Sequence, residues 1–306
     1  YIGGVYYPDK TKVGWWKNGY PEYFAKVLNA PNWIGINVFV NEEPLDLHNC
    51  REVKNFRREL NMKEGWYART FETELPNGVQ VEVKALRFVS IVDNELGAIK
   101  FEITPLNQDA EIRFDPYLDG SITNTDANWE ERFWETLEVK KEADKGFIVS
   151  KTLKTGFHVG TYMQSEILLN DEKQDSGMES KEDEDRISFS YKLKANKGET
   201  AAIVKYAGYV TDMNHDQNDL ISAASKVLDK ASDLGFAELK AQQKEAWSKI
   251  WEMSDITISG DVAAQQGIRF NIFQLNQTYL GEDDRLNIGP KGFTGEKYGG
   301  STYWDT

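Results

Sequence analysis

The sequence predicts a large antiparallel β region followed by amphipathic helices. From about residue 65 to residue 209, apolar and polar residues alternate in short runs, which is typical of strands with one buried face. Turn-forming residues separate these runs. After residue 211 the apolar spacing changes to three and four, the period of a helix. The order of the elements therefore favours a β-sandwich joined to a helical part.

The clearest hairpin signal is Pro76-Asn77-Gly78, because Asn-Gly favours the positive φ angles of a tight turn. Valines alternate with polar residues directly after it. One segment inside the β region, residues 171–185, carries eight acidic and two basic residues, and it is expected to be a solvated loop. The other predicted strands lie at residues 99–103, 147–149, 157–169, 187–193 and 201–210.

Three helices are predicted in the remainder of the chain. The first runs from Leu220 to Ala231, is capped by the Asn/Asp cluster at 214–219 and ends at Gly235. The second covers about 239–251, and the third covers 261–279.

Charge and composition exclude several classes of function. The chain has 36 Lys and Arg against 50 Asp and Glu, a net charge of −14, so nucleic acid and anionic membrane surfaces are not expected partners. Cys50 is the only cysteine, which excludes an internal disulfide and suits a cytoplasmic location. The three histidines are far apart, so no metal site is predicted.

The residues that remain for chemistry are aromatic and acidic. Trp304 and Asp305 follow a glycine-rich stretch, and such a pair suits a sugar, whose C–H face stacks on indole while its hydroxyls donate to a carboxylate. The alternative is a buried core tryptophan beside a helix N-cap. The same alternative of sandwich packing applies to Trp15, Trp16, Trp129 and Trp134.

Two long motifs resemble glycoside hydrolase family 65. Residues 289–306 read GPKGFTGEKYGGSTYWDT, and they resemble the loop that opens the active site of that family. Residues 13–33 read VGWWKNGYPEYFAKVLNAPNW, and they resemble its N-terminal domain. The order of β region and helices also matches, so the resemblance covers essentially the whole chain.

The resemblance implies a fold class: an antiparallel β-supersandwich, a helical linker, and the first part of an (α/α)6 barrel. The implied boundaries are 1–213 for the sandwich, 214–255 for the linker and 256–306 for the start of the catalytic domain. Because most of the barrel is missing from this sequence, the chain alone is expected to be inactive and to expose the apolar face of its last helix.

The resemblance also implies roles for individual residues. Trp304 and Asp305 would bind the glucosyl unit at the cleavage subsite, and the general acid, a glutamate, is expected beyond Thr306. Glu296 lies inside the motif, but Lys297 beside it would favour its charged form. Glu296 and Lys297 are therefore expected to support the loop or to lie behind the residues that touch substrate. Tyr298 and Tyr303 are expected in the same supporting positions.

The implied activity is that of an inverting phosphorylase, which splits maltose with inorganic phosphate into β-glucose 1-phosphate and glucose. Phosphate is the co-substrate, no cofactor is expected, and the complete enzyme would be a homodimer. Two alternatives remain open. One is phosphorolysis of another glucosyl disaccharide such as trehalose, kojibiose or nigerose, and the other is a non-catalytic carbohydrate-binding β-sandwich.

Overall fold

The structure, a computed structural model, describes residues 1–10, 22–124 and 131–286. The helices in this part of the chain are α1 (Leu220–Ser254) and α2 (Val262–Thr278). The strands are β1 (Tyr6–Lys10), β2 (Tyr23–Val27), β3 (Ile36–Val40), β4 (Glu43–Pro44), β5 (Glu52–Asn61), β6 (Trp66–Glu74), β7 (Gln80–Val89), β8 (Leu96–Pro105), β9 (Ala110–Asp119), β10 (Trp134–Glu142), β11 (Lys145–Thr152), β12 (His158–Leu169), β13 (Glu172–Gln174), β14 (Met178–Glu182), β15 (Arg186–Ala195) and β16 (Ala201–Thr211).

Two antiparallel sheets form the sandwich. The large sheet has nine strands in the order β10-β11-β12-β16-β8-β7-β6-β5, with β13 beside β12. The small sheet has five strands in the order β14-β15-β9-β3-β4, and β1 pairs with β2 apart from both sheets. The predicted fold class, an antiparallel sandwich followed by helices, is confirmed.

The core between the sheets comes from the alternating runs of the sequence. Ile112 and Phe114 of β9 and Phe189 of β15 face Ile103 of β8 and Ile203 of β16, and each of these side chains is at most 1% exposed. Burying one such side chain contributes about 1.5–3 kcal/mol, which makes this layer the main stabilising contact of the sandwich.

The outer face of the large sheet is covered by the first half of α1. Leu220, Ala224, Leu228 and Ala231 pack against this face, where Tyr206 is among the buried residues. Because β16 is buried on both faces, its sequence is a nearly continuous apolar run and shows little alternation.

Lys205 is the exception in that run. Its side chain is fully buried, and its Nζ donates to the carbonyl oxygens of Gly35 at 3.0 Å and Tyr117 at 2.8 Å. Burial lowers the pKa of Lys205 well below its usual value. The Lys205 side chain thereby joins β16 of the large sheet to the small sheet.

The hairpin at 76–78 forms as predicted, but with a different turn. Only Gly78 has a positive φ, of 83°, and Asn77 does not. Leu75 and Val79 close a three-residue loop through a hydrogen bond of 2.9 Å, and the Asn77 amide donates to the Val40 carbonyl at 2.9 Å. Asn77 is therefore used for its side chain, which connects the hairpin to the small sheet.

The prediction of a solvated loop at 171–185 was wrong in part. This segment contains β13 and β14, and β14 is the edge strand of the small sheet. Met178 packs against the core, whereas the four following residues of β14 are exposed. Composition reports that these side chains are solvated but not whether their backbone pairs, and charged residues are common on edge strands.

The helices begin and end close to the predicted positions. Gly235 interrupts α1 with φ 75° and ψ 162°, and Asp261 caps α2 by accepting from the Ala264 N–H at 2.9 Å. The predicted cap of the first helix was wrong, because the Asp219 side chain makes no capping hydrogen bond. Asp216 instead accepts from the Asn218 N–H at 2.9 Å within the preceding turn.

The second half of α1 joins the sandwich to α2 through two buried side chains one turn apart. Gln243 accepts from the Ile91 N–H at 3.0 Å and donates to the Gly65 carbonyl at 3.0 Å and the Val89 carbonyl at 3.1 Å. Trp247 stacks on Phe273 of α2 with ring centroids 4.6 Å apart. Phe273 is the buried residue of α2, whereas Val262 is 86% exposed and Leu275 is 58% exposed.

Gly65→Ala tests the contact between the sandwich and this helix. Gly65 has a φ of +70°, and a Cβ there would lie 1.9 Å from the Trp247 Nε1. Gly198 has a φ of +88° with open space around it, so Gly198→Ala carries the backbone cost alone. We expect Gly65→Ala to cost about 1–3 kcal/mol more than this control. Differential scanning calorimetry of the two variants would measure both losses of stability. Equal shifts of the melting midpoint would show that Trp247 does not pack closely against Gly65.

Neither helix in residues 220–278 is long and apolar enough to cross a lipid bilayer.

Candidate functional site

The two residues predicted to bind substrate and the four predicted to support them lie outside the described residues. They are Glu296, Lys297, Tyr298, Tyr303, Trp304 and Asp305, all within 287–306. Trp15, Trp16 and Trp129 also lie outside the described ranges. Trp134 is 2% exposed and donates from Nε1 to the Asn29 carbonyl at 2.8 Å, which confirms the packing interpretation for this residue.

The structure places the segment that leads into the motif, residues 279–286. Arg285 holds this segment against the end of β16. Its guanidinium donates to the Met213 carbonyl at 2.6 Å and to the Asn214 Oδ1 at 2.6 Å. Leu286 lies beside the N-terminal Gly4, where an added Cβ would be 2.7 Å from a Leu286 methyl group. The chain therefore enters the motif from the surface of the sandwich.

Asp283 orients the Arg285 side chain. Its carboxylate accepts from the Arg285 Nε at 2.8 Å, and the hydrogen bonds from this side chain lower the pKa of Asp283 to about 2. Because the carboxyl pKa is lowered in the folded protein, the pair stabilises the folded state, and this contribution to stability is complete above about pH 4. That contribution is lost as the pH falls through about 2.

The turn at 93–95 lies next to this segment and is fixed by several hydrogen bonds. The Glu95 carbonyl accepts from the Tyr162 hydroxyl at 2.5 Å, and the Glu95 carboxylate lies 2.7 Å from the His215 Nε2. Burial, assisted by the nearby acidic groups, raises the pKa of Tyr162 well above its usual value, so its hydroxyl remains a donor. Asn94 donates to the Glu282 carboxylate at 3.3 Å. Both sides of the segment are therefore tied to the sandwich.

The side chains of His158 and Cys50 have local partners. His158 Nδ1 lies 3.1 Å from the Asp212 carboxylate, and the half-buried Cys50 Sγ lies 3.1 Å from the Asp46 carbonyl. Across residues 1–10, 22–124 and 131–286, no group of three His, Cys, Asp or Glu side chains is arranged to hold a metal ion.

Sequence reasoning did not identify Arg285 or the Glu95–His215 pair. Arg285 follows Glu282-Asp283-Asp284, which reads as an ordinary charged loop. Glu95 and His215 are 120 residues apart, and they meet only because β8 and β16 are neighbours in the large sheet. Contacts between residues so far apart in the sequence cannot be predicted from a local pattern.

Comparison with known families matches two parts of the chain. Residues 1–250 match the model described as "Glycosyl hydrolase family 65, N-terminal domain". Residues 269–306 match "Glycosyl hydrolase family 65 central catalytic domain", so the second match includes all six predicted site residues.

Individual relatives agree with these matches. The chain is 41% identical to maltose phosphorylase of Bacillus subtilis (strain 168) over its whole length, and 33% identical to α,α-trehalose phosphorylase of Thermoanaerobacter brockii, also over its whole length. In each case it spans 40% of the relative. A kojibiose phosphorylase of Halothermothrix orenii is 26% identical over 92% of the chain and 36% of that relative.

A solved structure supports the fold. The structure described as "Putative kojibiose phosphorylase from human microbiome" superposes with a TM-score of 0.87 at 25% identity. The superposition covers the whole of this chain and 39% of the chain of that structure. The two-sheet sandwich and the helices that follow it are therefore arranged as in that protein.

Proposed function

Because the chain belongs to glycoside hydrolase family 65, we propose that the complete protein is an inverting disaccharide phosphorylase. Its proposed reaction is the cleavage of maltose by inorganic phosphate to give β-glucose 1-phosphate and glucose. The observation that carries the choice of maltose is the order of the identities: 41% to a maltose phosphorylase, 33% to a trehalose phosphorylase and 26% to a kojibiose phosphorylase.

The proposed chemistry needs one carboxylic acid and one phosphate. The acid protonates the glycosidic oxygen while phosphate attacks the anomeric carbon from the opposite face, in the place that water takes in an inverting hydrolase. Trp304 and Asp305 are proposed to hold the glucosyl ring during this step. Indole stacks on the C–H face of the ring, and a carboxylate accepts from two hydroxyls. No cofactor takes part in this scheme.

The four other predicted residues are proposed to shape the loop. Glu296, Lys297, Tyr298 and Tyr303 flank the Trp-Asp pair in sequence. A Glu-Lys neighbour pair favours the ionised carboxylate, which suits a structural contact and not a proton donor.

A disaccharide panel tests the proposed reaction. The complete protein would be incubated with phosphate and maltose, trehalose, kojibiose or nigerose, and phosphate consumption and the anomer of glucose 1-phosphate would be measured. We expect maltose to give the highest kcat/KM and the β anomer to form. Release of glucose from maltose without phosphate consumption would contradict phosphorolysis, and a preference for trehalose would replace maltose as the substrate.

The assembly is proposed to be a homodimer, on the strength of the family resemblance. Light scattering of the complete protein would give twice the chain mass if this holds, and a monomer mass would reject it.

Arg285→Ala tests whether the 279–286 segment positions the motif. Losing the hydrogen bonds to Met213 and Asn214 detaches residues 279–286 from the sandwich, so we expect kcat/KM to fall by about 10- to 100-fold. Lys249→Ala is a suitable control, because Lys249 is an exposed lysine of α1 paired with Glu245. Unchanged activity in Arg285→Ala, with an unchanged melting midpoint, would show that this anchor does not position the site.

A further inference from the structure

A cleft of about 410 Å³ opens on the face of the large sheet that is directed toward the small sheet. Strands β5 to β8 line it on one side, and residues at the start of β3 line it on the other. Ile36 and Phe101 contribute apolar surface, whereas Arg58, Arg69 and Arg87 contribute three guanidinium groups.

The strand register brings these arginines together. Arg58 of β5 lies directly opposite Arg69 of β6, and Arg87 of β7 lies opposite Tyr67, two residues along β6 from Arg69. Like charges directly opposite each other on neighbouring strands destabilise a sheet. The fold therefore holds three positive charges on one face against their mutual repulsion.

No carboxylate within the described residues neutralises them. Arg51, Arg57 and Arg113 each form a salt bridge with a glutamate, whereas none of the three cleft arginines forms one in this part of the chain. This contrast is notable in a protein with 50 acidic residues and a net charge of −14.

Each cleft guanidinium lies instead over an aromatic ring. Arg58 is 5.1 Å from the centroid of Phe56, Arg69 is 5.5 Å from that of Phe71, and Arg87 is 5.1 Å from that of Tyr67. These contacts restrict the side chains while leaving their N–H groups available to a ligand. Arg69 is half-buried, and burial lowers the pKa of its guanidinium, with the charges of Arg58 and Arg87 acting in the same direction.

We propose that this cleft binds a phosphate monoester carried on a compact ring, that is, a sugar phosphate. Guanidinium groups bind phosphate oxygens in a bidentate way, and three of them match a dianion. The apolar wall of Ile36 and Phe101 suits the C–H face of the ring, and the volume lies within the range of small-molecule pockets, about 300–1,000 Å³. The proposal uses none of residues 287–306, so it does not depend on the proposed reaction.

Isothermal titration of the complete protein with glucose 6-phosphate tests the site. The original protein would be compared with the double variant Arg69→Gln/Arg87→Gln and with Arg57→Gln. Arg57 lies next to Arg58 but on the opposite face of β5, so its variant removes one arginine charge outside the cleft, where the double variant removes two within it. Because each charge-assisted hydrogen bond contributes about 1.5–3 kcal/mol, we expect the double variant to bind at least about 100-fold more weakly and Arg57→Gln to bind normally.

Inorganic phosphate and glucose are the other arms of the titration. Binding at the catalytic site is common to the original protein and the double variant, so the cleft is measured by the difference between the two. In that difference we expect inorganic phosphate to bind more weakly than glucose 6-phosphate and to be displaced by it, and glucose alone not to compete. Equal affinity for inorganic phosphate and glucose 6-phosphate would overturn the sugar-phosphate assignment. An identical isotherm in the original protein and the double variant, or no binding at all, would overturn the site.

A thermal readout keeps the test independent of folding defects. Glucose 6-phosphate at saturating concentration should raise the melting midpoint of the original protein and of Arg57→Gln, but not that of the double variant. If Arg69→Gln impairs folding, Arg58→Gln/Arg87→Gln replaces it, because both of these side chains are exposed and substitution leaves the core unchanged. If glucose 6-phosphate raises the melting midpoint of either double variant as much as that of the original protein, the proposal is rejected.

Discussion

Asp305→Asn in the complete protein is expected to lower kcat/KM for maltose phosphorolysis by about 10²- to 10⁴-fold. The proposed role of this carboxylate is to accept hydrogen bonds from two hydroxyls of the glucosyl unit. A charge-assisted hydrogen bond contributes about 1.5–3 kcal/mol, and the neutral amide has one acceptor oxygen where the carboxylate has two, because its NH₂ group only donates. Steady-state kinetics with maltose and phosphate would measure the loss.

Glu296→Gln provides the matched control for this prediction. It makes the same carboxylate-to-amide change in the same motif, at a residue proposed to support the loop, and we expect it to alter kcat/KM by less than about 10-fold. The proposal for the site is wrong if Asp305→Asn retains full activity. A larger loss from Glu296→Gln than from Asp305→Asn would move the critical carboxylate to position 296.

Trp247→Ala is expected to lower the free energy that holds the helical part against the sandwich by about 3–5 kcal/mol. Trp247 is 1% exposed, lies against Gly65 on one side and stacks on Phe273 at 4.6 Å on the other. Its removal leaves a cavity at a three-way contact. Hydrogen exchange measured by mass spectrometry in the complete protein should show about 10²- to 10⁴-fold faster exchange in residues 236–254.

Two further variants of α1 define this effect. Met253→Ala removes a side chain that is 85% exposed on the same helix and should leave exchange unchanged within about 0.5 kcal/mol. Trp247→Phe should cost less than Trp247→Ala, because it retains a ring over Phe273 and removes an indole N–H that has no hydrogen-bond partner among the described residues. Equal exchange in Trp247→Ala and Met253→Ala would show that Trp247 does not hold the two parts together.

The sandwich could be predicted from the sequence because most of its strands have one wet face. Ile187, Phe189 and Tyr191 alternate with polar residues along β15, and the structure buries all three. The strand β16 gave a weaker signal, since helix α1 covers its outer face and both sets of side chains are apolar. The pairing of β14 could not be predicted, because its side chains are exposed whether or not its backbone forms a ladder.

The candidate site was predictable only as a motif. The Trp304-Asp305 pair was identified from chemistry and resemblance. The anchor at Arg285 depends on a contact with residues about 70 positions earlier, and the arginine cleft depends on the register of neighbouring strands. The cleft left one local trace. Val81, Val83 and Ala85 occupy the inward positions of β7, and Arg87 is the next residue on that face. The charge of Arg87 therefore breaks the apolar pattern of that face.

The arrangement of Gln243 and Trp247 constrains how the length of α1 can vary. The two side chains are four positions apart and lie on one stripe of the helix. Gln243 contacts backbone groups of the turn at Gly65 and of the end of β7, and Trp247 contacts Gly65 and α2. Each residue added to or deleted from a helix rotates everything after it by about 100°. A single insertion between Gly235 and Gln243 would therefore rotate both side chains away from their partners. The length of this stretch is thus fixed, whereas the length of an ordinary connecting loop can vary.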